Sequence, residues 1–389
     1  MDFRFSDEQR MIRDTAAAFL AEVSDSAAVR AAMATEIGYD RQLWQRICGE
    51  MYLQATHIPE SCGGMGLGYV ELVAIMEQMG RYLLCAPFFS TVCLAGNALL
   101  VAGSAAQQQE YLAQIAAGEL TATLAHTGVT GEWGAQGVTA VYRQRAGQYV
   151  LDGKLRYVVD GHTADLLLVA AREEGSSGEQ GISLFAVPAA SAGIERTWLP
   201  TVDQTRKLAE IGLSGLAVPA SALLGEAGAA WPDLSKTLDL ATIALAAEQM
   251  GGTQRVLDMT VDYTRERVQF NRPIASFQAV KHIAADMMLK AEVARSAVYY
   301  AGCIAQEALS GDALGAELPE AASVAKAYCS DAYFANSADA LQLHGGVGFT
   351  WEYDVHLYLK RAKASEHFLG NGAHHRERVA SLLLDTPNA

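Results

Sequence analysis

Cysteine is scarce and unpatterned in this chain: six in 389 residues, at positions 48, 62, 85, 93, 303 and 329. No two form a C-x-x-C pair and no His/Cys group has zinc-ligand spacing, so thiol-redox and zinc-site readings have nothing to rest on. The six read as buried, reduced thiols of a cytosolic protein. Basic charge is also short. Lys plus Arg is 29 against 44 Asp plus Glu, a net charge of −15, which argues against a general binder of nucleic acid or anionic membrane. A local basic pocket for a small anion stays open. No run of about 18 apolar residues occurs, so no transmembrane helix is predicted. Met1-Asp2-Phe3-Arg4-Phe5 lacks the basic start and apolar stretch of a signal peptide. The expected compartment is the cytoplasm. Only 19% of residues are charged and 51% are hydrophobic, a composition that can bury a large core and excludes a disordered chain. The length predicts two or three domains.

The texture changes twice along the chain, which predicts an α+β protein in three blocks: a helical domain over 1–120, an antiparallel β domain over 121–230 and a helical bundle over 231–389. In the first block Ser6 and Gln9 form a capping-box signature, followed by Met11, Ile12, Phe19 and Leu20 at helical spacing. Helical stretches are expected at Tyr69–Tyr82 and around Ala105–Ala117. In the second block, the run from Tyr149 to Val159 reads as a hairpin turning at Asp152-Gly153. Leu166–Ala171 and Ile182–Val187 read as buried strands. In the third block Pro232 suits a first helical turn, and no proline interrupts Leu234 to Gln269. Further helices are predicted near Phe277–Leu309, Pro319–Leu343 and from Ala364 to the end. Gly251-Gly252 inside the first long helix costs about 1 kcal/mol per glycine, which predicts close packing against another helix. No internal repeat or low-complexity linker is present.

Three stretches could carry chemistry. Gly63-Gly64-Met65-Gly66-Leu67-Gly68 lacks the glycine spacing of a dinucleotide fingerprint and lies between helices, so it reads as a tight interhelical loop. Arg265-Glu266-Arg267-Val268-Gln269-Phe270-Asn271-Arg272-Pro273, followed by Phe277-Gln278, gathers three arginines in an acidic protein. Cations at a helix C-terminus explain it plainly. A diphosphate clamp, with paired guanidinium donors and the aromatic face of Phe270, explains it functionally. Gln342-Leu343-His344-Gly345-Gly346-Val347-Gly348-Phe349 offers a bifunctional amide and glycines that let a ligand approach the backbone, or simply a helix C-cap.

Together the R-x-Q-F…F-Q and Q-x-x-G-G-x-G stretches resemble the acyl-CoA dehydrogenases over nearly the whole chain. The resemblance implies an N-terminal helical domain, a middle β domain and a C-terminal four-helix bundle, with FAD extended between two subunits. It places Arg267, Phe270 and Gln278 on the adenine half of the flavin. It brings Gln342, Gly345 and Gly346 of a neighbouring subunit to the pyrophosphate and adenosine. It also implies an acyl-CoA substrate, an obligate oligomer and electron-transfer flavoprotein as acceptor. In the family a glutamate takes the α-proton of the thioester and a hydride leaves the β-carbon for the flavin, which calls for a carboxylate in a dry site.

The chain departs from the family pattern at the chemistry. The usual base position, 23 residues after Gly346, is Leu369; the second known position is Ala241, in Asp239-Leu240-Ala241. The arginine that follows the second position is replaced by Thr242. The flavin-ring segment T-E-P-x-A-G-S-D becomes Leu124-Ala125-His126-Thr127-Gly128-Val129-Thr130, and the Trp-x-Thr pair becomes Tyr157-Val158-Val159, so His126 and Tyr157 take the ring contacts. Glu248, two helical turns after Ala241 and roughly 10 Å along the axis, is the candidate for a relocated base; a structural pairing inside the bundle is the plain alternative. Four functions compete. One is an active acyl-CoA dehydrogenase. A second is the base-less subunit of a mixed α2β2 assembly, as in steroid side-chain enzymes of this family. A third is a flavin monooxygenase of the same fold, and the fourth a non-catalytic helical scaffold. The first two carry the reading of a flavoprotein oxidoreductase working in fatty acid or steroid catabolism.

Overall fold

The computed structural model describes residues 5–145 and 147–385. Packing groups the chain into two compact units: Met1–Arg30, Tyr69–Leu84 and Thr242–Ala389 form unit 1, and Ala31–Gly68 with Cys85–Ala241 form unit 2. The first block of the sequence contributes to both.

Unit 2 is organised by one sheet of eight strands: β1 (Ala122–Ala125), β2 (Val141–Arg145), β3 (Gln148–Val159), β4 (Leu166–Glu173), β5 (Ile182–Pro188), β6 (Ile194–Leu199), β7 (Leu208–Pro219) and β8 (Leu223–Leu224). The order is β6-β7-β3-β2-β4-β5-β8, with β1 also on β4. Most pairings are antiparallel, as the sequence predicts, but β1 and β2 each run parallel to β4. β4 and β5 are apolar runs buried along nearly their whole length, and Phe185, Leu167, Val169 and Ile211 sit at the centre of the core.

The expected Tyr149–Val159 hairpin is corrected. This stretch is one continuous strand, β3, paired to β2 on one side and β7 on the other. Asp152-Gly153 is a bulge in it, where the register against β7 shifts. The signals of a turn and of a bulge coincide because both need positive φ. Gly153 stands at φ 141°, and a Cβ there would lie 2.8 Å from the Ala140 Cα. Asp152 fixes the bulge by accepting from the Gly215 N–H at 2.7 Å and from Arg143 at 2.6 Å.

The helices are α1 (Asp7–Val23), α2 (Ser26–Met33), α3 (Arg41–Gly49), α4 (Tyr69–Arg81), α5 (Asn97–Ala102), α6 (Ala105–Gln107), α7 (Ala113–Ala116), α8 (Trp231–Glu266), α9 (Gln278–Ser310), α10 (Leu318–His344), α11 (Val355–His367) and α12 (Gly372–Leu384). The capping box of α1 forms as read, with Ser6 Oγ accepting from the Gln9 N–H. A fully buried π-helical segment, Phe89–Gly96, precedes α5 and carries no signal in the sequence. The expectation of a single helix from Ala364 onward is corrected: α11 stops at His367 and α12 starts at Gly372. Leu369 (φ 58°) and Gly370 (φ 93°) turn the chain in left-handed backbone between them.

Within unit 1, α8 packs against α4 at glycines. A Cβ on Gly251 would stand 1.8 Å from the Glu77 carbonyl oxygen, and one on Gly80 1.9 Å from that of Glu248. Gly252 receives the Tyr333 ring, 2.4 Å from where its Cβ would be. The glycine pair is thus a close helix approach, as its sequence position predicts. Alanine at 251 improves helix propensity by about 1 kcal/mol, but the added methyl meets fixed backbone rather than a movable side chain. Gly251→Ala is therefore expected to destabilise the fold by about 3 kcal/mol through overpacking, read by chemical denaturation.

Candidate functional site

The adenosine-side candidates lie in unit 1 and are built by three helix ends. After α8, residues Val268–Gln269 (β9) and Arg272–Pro273 (β10) form a two-residue hairpin. Phe270 (φ 53°) and Asn271 (φ 60°) at its tip both adopt the left-handed conformation this turn demands. Phe270 is 86% exposed, a costly position for a phenyl ring unless a ligand or subunit covers it. Arg272 lies over the Phe277 ring at 4.1 Å, and Phe270 meets that ring edge-on at 6.1 Å. The ring pair therefore sits directly before Gln278, the first residue of α9. The side chains of Arg267, Gln278 and Gln342 are exposed.

The C-terminus of α10 is fastened to that of α8. Tyr263 stacks on His344 at 4.2 Å and its hydroxyl donates to the His344 carbonyl at 3.2 Å. Arg267 is one helical turn beyond Tyr263, and Gly345 directly follows His344, so the two sequence stretches are brought to one end of the bundle. Gly345 (φ 62°) and Gly346 have nothing within 4 Å of where a Cβ would stand. Their backbone lies open, which suits the close approach of a phosphate or ribose. The guanidinium, exposed ring and Gln278 amide suit the adenosine half of one FAD, and Gln342 with the bare glycine backbone suits the pyrophosphate of a flavin presented by a neighbouring subunit.

The ring-side candidates lie in unit 2. His126 follows β1 and Tyr157 stands near the end of β3. The Arg156 N–H donates to the Thr127 carbonyl at 2.9 Å, and Thr127 Oγ1 donates back to the Arg156 carbonyl at 2.8 Å. The two segments are therefore locked side by side. Tyr157, at φ 60°, is part-exposed with Arg156 over its ring at 5.7 Å. His126 is buried beside Trp133, at 5.8 Å, and its Nε2 has no hydrogen-bond partner among the described residues. Burial pushes its pKa down to about 4, so the ring is neutral at pH 7. An unpaired buried nitrogen is unfavourable and fits a position completed by a bound group. Trp133 and Arg156 belong to this cluster and are not singled out by sequence reasoning, because nothing in the primary order joins 133 to 126 or 156 to 127.

The base positions hold no acid. Ala241 is fully buried and Leu369 is 5% exposed. The turn bearing Leu369 is firmly held. His375 Nε2 donates to the Leu369 carbonyl at 2.8 Å. The buried Lys326 ammonium donates to Ser330 Oγ (2.8 Å) and to the carbonyls of Ser365 (3.0 Å), Glu366 (3.1 Å) and Gly370 (2.9 Å). Lys326 thereby caps the orphan carbonyls at the end of α11. Burial pushes its pKa down to about 7, with Cys329, Glu366 and Asp331 pulling the other way. Glu248 is inside the bundle, buried with its Oε1 3.7 Å from Nε of Arg361, which is buried too. Among the described residues no His/Cys/Asp/Glu group could hold a metal, and no helix is long and apolar enough to cross a membrane.

Known acyl-CoA dehydrogenases match this chain at both ends: their N-terminal domain over residues 6–119 and their C-terminal domain over 228–384. The chain belongs to the acyl-CoA dehydrogenase family. It is thus an oxidoreductase of a family of FAD-binding flavoproteins. It is similar to acyl-CoA dehydrogenase IpdE2 of Mycobacterium tuberculosis, 33% identical over 98% of this chain and 99% of the relative. Among solved structures it resembles a chain of the ChsE4-ChsE5 complex from M. tuberculosis, at 28% identity and TM-score 0.88, covering 100% of both chains. It also resembles a chain of the Tcur3481-Tcur3483 steroid enzyme, at 27% identity and TM-score 0.85, covering 97% of this chain and 98% of that one.

Proposed function

We propose that this chain is the base-less subunit of a mixed acyl-CoA dehydrogenase, which binds FAD jointly with a base-bearing partner and acts with it on an acyl-CoA thioester. The observation that carries this reading is the pair Leu369 and Ala241. Both usual glutamate positions hold buried apolar side chains, while the adenosine-side set is intact. A chain without a base keeps such a set for a reason if the flavin it holds serves chemistry completed by another subunit. The two-name complexes among its structural neighbours agree with this arrangement.

Arg267, Phe270 and Gln278 would hold the adenine half of one FAD, and Gln342, Gly345 and Gly346 would reach the pyrophosphate and adenosine of the flavin held by the neighbouring subunit. His126 and Tyr157 would border its ring. When bound, FAD supplies the acceptor for the two electrons leaving the substrate. This chain's own residues bind and orient. The guanidinium of Arg267 neutralises diphosphate charge through paired donors, and the open backbone at Gly345-Gly346 admits the flavin of the neighbouring subunit closely. Removal of the α-proton falls to a carboxylate of the partner, since Leu369 and Ala241 cannot accept one. We assign electron-transfer flavoprotein as the onward acceptor on the strength of the family resemblance, and the cytoplasm as the site of action.

Co-expression with a base-bearing relative tests the reading. The expected result is a flavin-loaded heteromer that dehydrogenates an acyl-CoA, alongside a lone chain without that activity. A homomer of this chain that loads FAD and oxidises acyl-CoA unaided would overturn it.

A further inference from the structure

The ring-side cluster of unit 2 holds a buried polar atom that the fold leaves unsatisfied. His126 is 6% exposed, and its Nε2 finds no hydrogen-bond partner among the described residues. An imidazole nitrogen buried in this state costs stability unless something else completes it. Trp133 lies beside it at 5.8 Å. Gly131 (φ 71°) turns the chain ahead of Trp133, and a Cβ there would stand 3.2 Å from the Tyr157 ring. The cluster's cation is committed elsewhere. Arg156, over the Tyr157 ring, is paired with Glu210 at 2.9 Å, and Glu210 also takes Lys154 at 3.1 Å.

The histidine is held on both sides. Ala125, before it, ends β1 and pairs with Val169 of β4. Thr127, after it, exchanges two hydrogen bonds with Arg156. The Gly128 N–H donates to the Gly137 carbonyl at 2.7 Å. A polar group fixed in this way, in a site dry enough to keep it buried, loses little freedom when a partner arrives. Burial pushes the pKa of His126 down to about 4, so the group on offer is a neutral imidazole.

We infer that His126 Nε2–H donates a hydrogen bond to the flavin ring and favours its reduced form, which raises the reduction potential of bound FAD. This rests on the reading of the cluster as the ring side of the flavin site. A flavin ring presents more acceptors than donors at its edge, carbonyl oxygens and bare ring nitrogens against a single N–H. The orphan nitrogen therefore serves it as a donor, in the tautomer that carries the proton on Nε2. Reduction puts charge on those acceptors, and a hydrogen bond to a charged acceptor is roughly twice as strong as a neutral one. His126 thus binds the reduced ring more tightly than the oxidised one. The imidazole neither gains nor loses a proton, so the electron and proton balance of the dehydrogenation is unchanged. The T-E-P-x-A-G-S-D pattern holds no histidine, so this donor belongs to the present chain and is not carried over from the family.

The test measures the midpoint potential of FAD by dye equilibration in the full chain assembled with its base-bearing partner, on wild type, His126→Leu and His126→Gln. Titration of oxidised FAD into the apo assembly gives the affinity of that form separately. The expected result for His126→Leu is a ratio of reduced to oxidised affinity lowered about tenfold, which is about 30 mV on the two-electron couple. His126→Gln keeps an N–H donor and is expected within about threefold of wild type. If leucine disturbs the sheet, His126→Met takes its place, filling the site flexibly without a donor. Three results overturn the inference and leave the flavin reading standing. The ratio is the same in wild type and His126→Leu, whether both affinities fall together or neither changes. The potential rises in His126→Leu, which reverses the sign. Glutamine falls as far as leucine, which assigns the effect to packing. A wild-type assembly that binds no flavin removes the reading underneath as well.

Discussion

Replacing Arg267 by alanine is expected to strip FAD from the assembled enzyme while leaving the fold intact. The side chain is exposed, so truncating it opens no cavity. A charge-assisted hydrogen bond contributes about 1.5–3 kcal/mol, which corresponds to a flavin dissociation constant raised about 10- to 100-fold. Arg267→Lys restores charge without the planar fork and should recover only part of the loss. Arg265→Ala serves as the internal control, because Arg265 lies in the same cationic cluster but outside the matched motif. Titration of flavin into the apo assembly, followed by fluorescence quenching, gives all three constants. Equal affinity for wild type and Arg267→Ala would return the arginine cluster to its plain role at a helix C-terminus.

Much of this was legible because periodicity reports burial. The long helices, the apolar strands β4 and β5 and the glycine crossing at Gly251-Gly252 all follow from patterns a few residues long. The errors arise where one local signal serves two structures. Asp152-Gly153 supplies the positive φ that a hairpin turn needs, but the same freedom suits a bulge, and pairing with β2 and β7 decided between them. The break at Leu369 was hidden for a different reason. No proline marks it, and a leucine in left-handed backbone runs against propensity. That conformation is held by His375, six positions on, and by Lys326, 44 positions before Gly370 and outside any local window.

The candidate site was legible in halves. Arg267, Phe270 and Gln278 are near in sequence, as are Gln342, Gly345 and Gly346, and each set could be read as a motif. Their meeting at one end of the bundle depends on Tyr263 stacking over His344, a contact between residues 81 positions apart. The ring-side cluster was less readable still. His126 could be placed only by comparing it with a family pattern it breaks, and Trp133 emerges only once the fold brings it beside His126.

Breaking the buried pair of Glu248 and Arg361 is the other change expected to have a large effect, and it separates structure from catalysis. Both side chains are almost fully buried and 3.7 Å apart. Arg361→Met leaves a carboxylate in the bundle interior without its counter-charge, at a cost of about 3–5 kcal/mol. Denaturation should read this as a clear loss of stability. Glu248→Gln keeps an acceptor in place but removes the charge that Arg361 neutralises, so it too destabilises. The double variant Glu248→Gln/Arg361→Met should regain part of the loss, since no lone charge then remains, and the shortfall from additivity measures the coupling. The rate gives the second axis. If the pair is structural, the assembled Glu248→Gln enzyme dehydrogenates its thioester within about twofold of wild type, once compared at temperatures where both are folded. If Glu248 is the α-proton base, the same variant loses about 10²–10⁴-fold in turnover. Stability lost without rate places Glu248 in the scaffold and leaves proton removal to the partner. Rate lost in Glu248→Gln would return the base to this chain and make the mixed assembly unnecessary.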